Sequence, residues 1–289
     1  PSYTYPNAGN YSVALTAQSN FGCLSTTFKS VTIFPTPVAN FSFANTCANQ
    51  ATQFINSSSV PVGGLTYTWD FGDGNFSTAN NPSHVFSATG TFNVELQALS
   101  NAGCKSSLSR PVLINESPNT NFTVANVCEN TNIPLTNTST IGTGSLTYSW
   151  NFGDATSSSL PNPIKAYTNP GTYVITLTAT SGSNCIRQST RPVQIYAKPT
   201  MSFEKNNTCK DQTVTLTNNS IPNEGTLSQV WDFGDGNAST ASTPTHIYAT
   251  EGNFTITLTG TTSLGCVATR QENIQIFPTA TASFLPTTG

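Results

Sequence analysis

Apolar and polar residues alternate along short runs of this chain. Within residues 37–117 the runs are Phe41-Ser-Phe43, Thr52-Gln-Phe-Ile55, Leu65-Thr-Tyr-Thr-Trp69, His84-Val-Phe86, Phe92 to Leu99, and Ser107 to Ile114. A period of two sends successive side chains to opposite faces, which predicts half-buried β-strands. Gly-Asp-Gly, Asn-Pro and Ala-Thr-Gly punctuate the runs at intervals of roughly 8–15 residues, as in an antiparallel sandwich with Greek-key links. The pattern predicts an all-β, immunoglobulin-sized domain of about seven strands.

The pattern recurs. Cys23, Cys104, Cys185 and Cys266 stand 81 residues apart, and Cys47, Cys128 and Cys209 keep the same step. Trp69, Trp150 and Trp231 follow it, as do Phe71, Phe152 and Phe233, Asp73, Asp154 and Asp235, and Gly9, Gly90, Gly171 and Gly252. A fixed period of this size is the signature of a tandem array. The expected layout is the last part of one repeat at 1–36, complete repeats at 37–117, 118–198 and 199–279, and the start of another at 280–289. There Thr281 to Phe284 restarts the pattern of Val38 to Phe41, so the sequence reads as a segment of a longer array.

Composition agrees with strands. Charged residues make up 8% of the chain, there is one Met, and 17 Phe and 9 Tyr accompany many β-branched residues, a set suited to pleated surfaces. The net charge of −3 and the lack of a basic run leave no footprint for nucleic acid or an anionic membrane. No apolar stretch reaches the length of a membrane span.

Three segments carry a resemblance. Tyr67-Thr-Trp-Asp-Phe-Gly-Asp-Gly74, Asn81-Pro-Ser-His84 and Gly90-Thr-Phe-Asn-Val-Glu-Leu96 resemble the signature of the PKD (polycystic kidney disease) domain, and Val230 to Gly236 repeats the first of them. The middle copy departs, with Asn151 and Ala155 in the turn and Lys165 where the others have His84 and His246. The resemblance implies a β-sandwich that serves secreted and cell-surface proteins as a spacer or interaction module. The placement of the cysteines is similar to tandem arrays in secreted and gliding-motility adhesins of the Bacteroidota.

Several residues invite chemistry. Asp70, Asp73, Asp154, Asp232 and Asp235 are candidate Ca²⁺ ligands, but a calcium site needs six to eight oxygens and each turn offers at most two carboxylates. Asp and Gly are also what a tight turn uses, so turn chemistry is the favoured reading, and no cofactor is expected. Trp69, Trp150 and Trp231 lie on alternating strands that place each indole in a sandwich core rather than on a sugar-stacking surface. The two histidines, His84 and His246, fall in separate repeats, so no metal pair or acid–base dyad is expected within one repeat. No Gly-x-Ser-x-Gly elbow occurs. Catalysis is not expected, and Asn-x-Ser/Thr sequons such as Asn56 and Asn121 matter only where asparagine is glycosylated.

Cysteine at two recurring places, without Cys-x-x-Cys, reads as a disulfide framework in an extracellular protein. Two schemes respect the repeat. Within-repeat bonds would join Cys47–Cys104, Cys128–Cys185 and Cys209–Cys266. Between-repeat bonds would join Cys47–Cys185 and Cys128–Cys266, because the turn holding Cys47 and the hairpin holding Cys104 lie at opposite ends of an immunoglobulin-like sandwich. Linkers at Phe34-Pro-Thr-Pro37, Glu116-Ser-Pro118, Ala197-Lys-Pro199 and Phe277-Pro278 are short and proline-stiffened. The leading functional expectation is the shaft of a surface adhesin or filament. Its partners are neighbouring repeats, surface polysaccharide or protein ligands, and laterally associated copies. The alternative is a spacer or polymer-binding region of a secreted degradative enzyme.

Overall fold

The structure, a computed structural model, describes residues 1–283 and contains strands and turns with no helix among them. It comprises two compact units. One holds Pro1–Asn119 with Thr140–Leu146 and Thr180–Arg187; the other holds Thr120–Ser139, Thr147–Ala179 and Gln188 onward.

In the first unit a hairpin of β1 (Gly9–Gln18) and β2 (Leu24–Ile33) leads into a complete sandwich. Its strands are β3 (Phe41–Phe43), β4 (Thr46–Cys47), β5 (Ala51–Asn56), β6 (Leu65–Asp70), β7 (Phe76–Ser77), β8 (Ser83–Val85), β9 (Gly90–Ser100) and β10 (Lys105–Asn115). One sheet has the order β4-β10-β9-β6-β7 and the other β3-β5-β8. Every alternating run of the sequence is a strand; β4 and β7 have two residues each, too few to show a period. β4 lies parallel to the end of β10, with Thr46 opposite Ile114 and Cys47 opposite Asn115.

Alternation sets the core. On β9 Val94, Leu96 and Ala98 are buried, while Asn93 just before them and Glu95 between them are exposed. Val94 and Leu96 meet Phe41, Phe54, Phe71, Val112 and Ile114 around the wholly buried Trp69. Burying each large side chain contributes about 1.5–3 kcal/mol. On β1 the positions matching Val94 and Leu96 are Val13 and Leu15, and both are exposed.

In the second unit residues 199–279 repeat both sheets with the same strand order. The middle repeat keeps the five-stranded sheet, but its second sheet splits into two short ladders, Phe122–Thr123 with Thr136–Asn137 and Ile133–Pro134 with Ile164–Lys165. Pro134, which lacks a donor, stands where the sister strands have Gln53 and Thr215, and proline interrupts a ladder. The restart of the pattern at 280–289 falls partly outside the described residues.

Candidate functional site

The Asp-Phe-Gly-Asp turn is closed by its own side chains. Asp70 Oδ1 accepts from the Gly72 N–H at 2.9 Å, and Asp73 Oδ1 accepts from the Asn75 N–H at 3.1 Å. Asn151 with Asp154, and Asp232 with Asp235, hold the other two turns in the same way. Gly72 has φ 75°, and a Cβ there would lie 2.7 Å from the Asn93 carbonyl oxygen. At Gly74 a Cβ would meet open space, and the middle repeat places Ala155 there with φ 67°. Among the described residues no group of three or more His, Cys, Asp and Glu is placed to hold a metal ion.

One expectation is overturned here. An acid–base pair does form within a repeat: His84 Nε2 lies 2.7 Å from Asp73 Oδ2, and His246 Nε2 lies 2.7 Å from Asp235 Oδ2. Eleven residues separate the partners, and pairing of β8 with β5 brings the histidine beside the turn. Each imidazole stacks on the phenylalanine of its turn, Phe71 or Phe233, with centroids 4.1 Å apart. In the middle repeat the Lys165 ammonium takes the same seat against Asp154, over the rings of Phe152 and Tyr167. An acid matched by His, Lys and His at one spacing was the sequence signal for this pair. Burial opposes ionisation of Asp73, but hydrogen bonds from His84 and Asn75 outweigh it and hold the carboxyl below its ordinary 3.8. Asp154 and Asp235 are lowered by the same balance, with Lys165 and His246 as the leading donors. Because lysine, a group of different proton chemistry, fills the seat in one copy, the pair acts as a lock on the turn.

The tryptophans are wholly buried, and each indole N–H donates to a main-chain carbonyl: Trp69 to Ala79 at 2.9 Å, Trp150 to Leu160 at 2.9 Å and Trp231 to Ala241 at 3.0 Å. Tyr167 and Tyr248 donate to the carbonyls of Phe152 and Phe233. Burial, reinforced by Asp235 and Asp232, pushes the Tyr248 phenol up to about 12.

The cysteines join successive repeats. Cys47 bonds Cys185 with Cα atoms 5.7 Å apart, and Cys128 bonds Cys266 at 5.6 Å. The within-repeat scheme of Cys47–Cys104, Cys128–Cys185 and Cys209–Cys266 is not formed, and Cys23, Cys104 and Cys209 carry free thiols. The reason is the length of β10. Cys104 precedes its first residue and Cys47 sits beside its last, so about 35 Å of strand separates sulfurs that need Cα atoms within about 7 Å. Each bond spans 138 residues of sequence, and in the chain-entropy picture a loop of that size restricts the unfolded chain by about 5 kcal/mol. Around the first bond the Arg187 guanidinium donates to the Ala48 carbonyl at 3.2 Å, and the Glu116 carboxylate accepts from the N–H groups of Gly142 and Thr143. Near the third repeat, the Asn223 amide instead donates to the Lys198 carbonyl.

This arrangement defines a tandem array of immunoglobulin-like β-sandwich repeats. A family model described as "PKD domain" matches residues 35–113, 115–195 and 196–276, so the chain belongs to the PKD domain family, whose members are non-catalytic modules. Among similar proteins, a microbial collagenase of Vibrio alginolyticus is 42% identical over 59 residues, covering 20% of this chain and 7% of the relative. Collagenase ColA of Bacillus cereus is 35% identical over 74 residues, covering 25% and 8%. The chain thus spans less than a tenth of the length of these curated relatives. A crystal structure of the PKD1 domain from the Vibrio cholerae metalloprotease PrtV shares 33% identity, covering 28% of this chain and 98% of that one, with a TM-score of 0.26. No helix among the described residues is long and apolar enough to cross a membrane. The two disulfides suit an oxidising, extracellular setting.

Proposed function

We propose that this chain is a load-bearing segment of an extracellular shaft, in which PKD repeats are stapled to their neighbours so that the array resists bending and pulling as a whole. The observation that carries this reading is the pair of bonds Cys47–Cys185 and Cys128–Cys266, each tying one repeat to the last hairpin of the next. A disulfide between repeats removes freedom that a short linker leaves, and the proline-bearing linkers restrict the remainder. The location on a cell surface, as part of an adhesin or filament, belongs to this proposal. Electron microscopy of the oxidised protein tests it: straight particles of constant length that become bent or variable on reduction are expected. Particles equally flexible before and after reduction would refute it.

A second reading rests on the collagenase relatives, in which repeats of this family form part of a degradative enzyme. On that reading the segment spaces or anchors a catalytic domain on an insoluble polymer. Pull-down on fibrous collagen separates the two, because a pure shaft does not bind it.

A further inference from the structure

We propose that the outer face of the first complete sandwich carries a groove for an uncharged, extended polysaccharide chain, with Phe76 as its stacking platform. This inference holds whether or not the stapled-shaft reading does. The floor is the outward side of β6, where Thr66, Thr68 and Asp70 alternate with the inward Tyr67 and Trp69. The walls are Phe76 on β7 and Glu95 with Gln97 on β9. Asp70 stands opposite both Phe76 and Glu95, and Thr68 stands opposite Gln97. The recess beside Phe76 holds about 180 Å³, and a second recess, lined by Thr66, Thr68, Thr78 and Asn80 among others, shares Thr68 with it. From Thr66 to Asp70 the floor runs about 13 Å, enough for a short run of sugar rings.

The chemistry fits a polyol rather than a folding role. Phe76 is 66% exposed, and a ring presented beside hydroxyl, amide and carboxylate groups can take the C–H face of a sugar while its neighbours bond the hydroxyls. The fold does not require Phe76 or Glu95. The sister repeats have Ser157 and Ala238 in place of Phe76, and Thr176 and Thr257 in place of Glu95. Like charges directly opposite in a sheet are unfavourable, and neither Asp70 nor Glu95 has an ion-pair partner among the described residues. Hydroxyl donors from a ligand would pair with Glu95 and with the Asp70 oxygen that the Gly72 N–H leaves open, whereas the two negative charges turn away uronate or sulfated chains. A basic peptide would also meet the carboxylates, but its attraction, unlike that of a neutral polymer, would fall steeply with salt.

The test is affinity electrophoresis of the whole 289-residue protein in gels containing hydroxyethyl cellulose, xylan or galactomannan, with polygalacturonate and poly-lysine as controls. At least one neutral polymer should retard the protein, with little dependence on salt. Phe76→Ser and Glu95→Thr import sister-repeat residues, so folding should survive. Each should weaken retention by about tenfold, while Phe76→Tyr keeps it. Failure of all three neutral polymers, unchanged retention in Phe76→Ser, or retention by poly-lysine alone that salt abolishes would each overturn the proposal.

Discussion

Pulling the protein from its two ends should reveal how its covalent network carries force. With both disulfides intact, the shortest covalent route runs from Pro1 to Cys47, crosses to Cys185, returns along the backbone to Cys128, crosses to Cys266 and continues to Gly289. That route contains about 126 residues of backbone, or about 440 Å at full extension, against about 1,000 Å for the reduced 289-residue chain. Replacing Cys47 with Ser forces the route along the backbone from Pro1 to Cys128, adding about 24 residues and about 80 Å. Replacing Cys104 with Ser changes nothing, since its thiol is free. Single-molecule force spectroscopy on oxidised protein reads these lengths directly. Within-repeat bonding would make either replacement lengthen the route by about 57 residues, or about 200 Å. An increment of that size in Cys104→Ser would refute the connectivity and the mechanical reading built on it.

Other consequences can be checked on the same protein. Gly234→Ala should cost at least about 3 kcal/mol, because its Cβ would fall 2.6 Å from the Thr255 carbonyl oxygen at φ 80°. Gly236→Ala should cost only about 1 kcal/mol, the left-handed penalty alone that Ala155 already bears in the middle repeat; denaturant unfolding of the two variants gives the contrast. Stability from Asp73 and Asp235 is present above the ordinary carboxylate value of 3.8 and is lost as pH falls through their lowered folded-state values. Asp235→Asn should therefore flatten part of the acid limb of a stability–pH profile. Tyr248 has the opposite sense: its raised phenol favours the fold below pH about 10 and loses that contribution as pH climbs towards about 12. Tyr248→Phe should remove this alkaline step and cost about 1 kcal/mol for the bond to Phe233.

The fold was legible because its two strongest signals are both periodic. Alternation placed Val94, Leu96 and Trp69 inside, and the 81-residue step of Cys23, Cys104, Cys185 and Cys266 exposed the repeats. The reach of a disulfide against the length of a strand bore directly on the cysteine pairing. Proximity across the sheet was harder to see. His84 lies on β8 and Asp73 in the turn between β6 and β7, and they meet only because β8 folds back against β5, which no local pattern states. Phe76 escaped notice for another reason: two residues of β7 are too short to show which face a side chain takes. The break at Pro134 stood in plain view, but its effect depends on a partner strand that sequence alone does not supply.

The two disulfides overlap, since the first spans Cys47 to Cys185 and the second Cys128 to Cys266. Any single peptide bond between Cys47 and Cys266 is therefore bridged by at least one of them, and those between Cys128 and Cys185 by both. A protease that nicks any exposed loop in this stretch severs the chain without releasing either piece. Fault tolerance of this kind is a property of the bonding graph rather than of any fold energy. It would let a protein outside the cell take a cut in this stretch and remain one connected object until its disulfides are reduced.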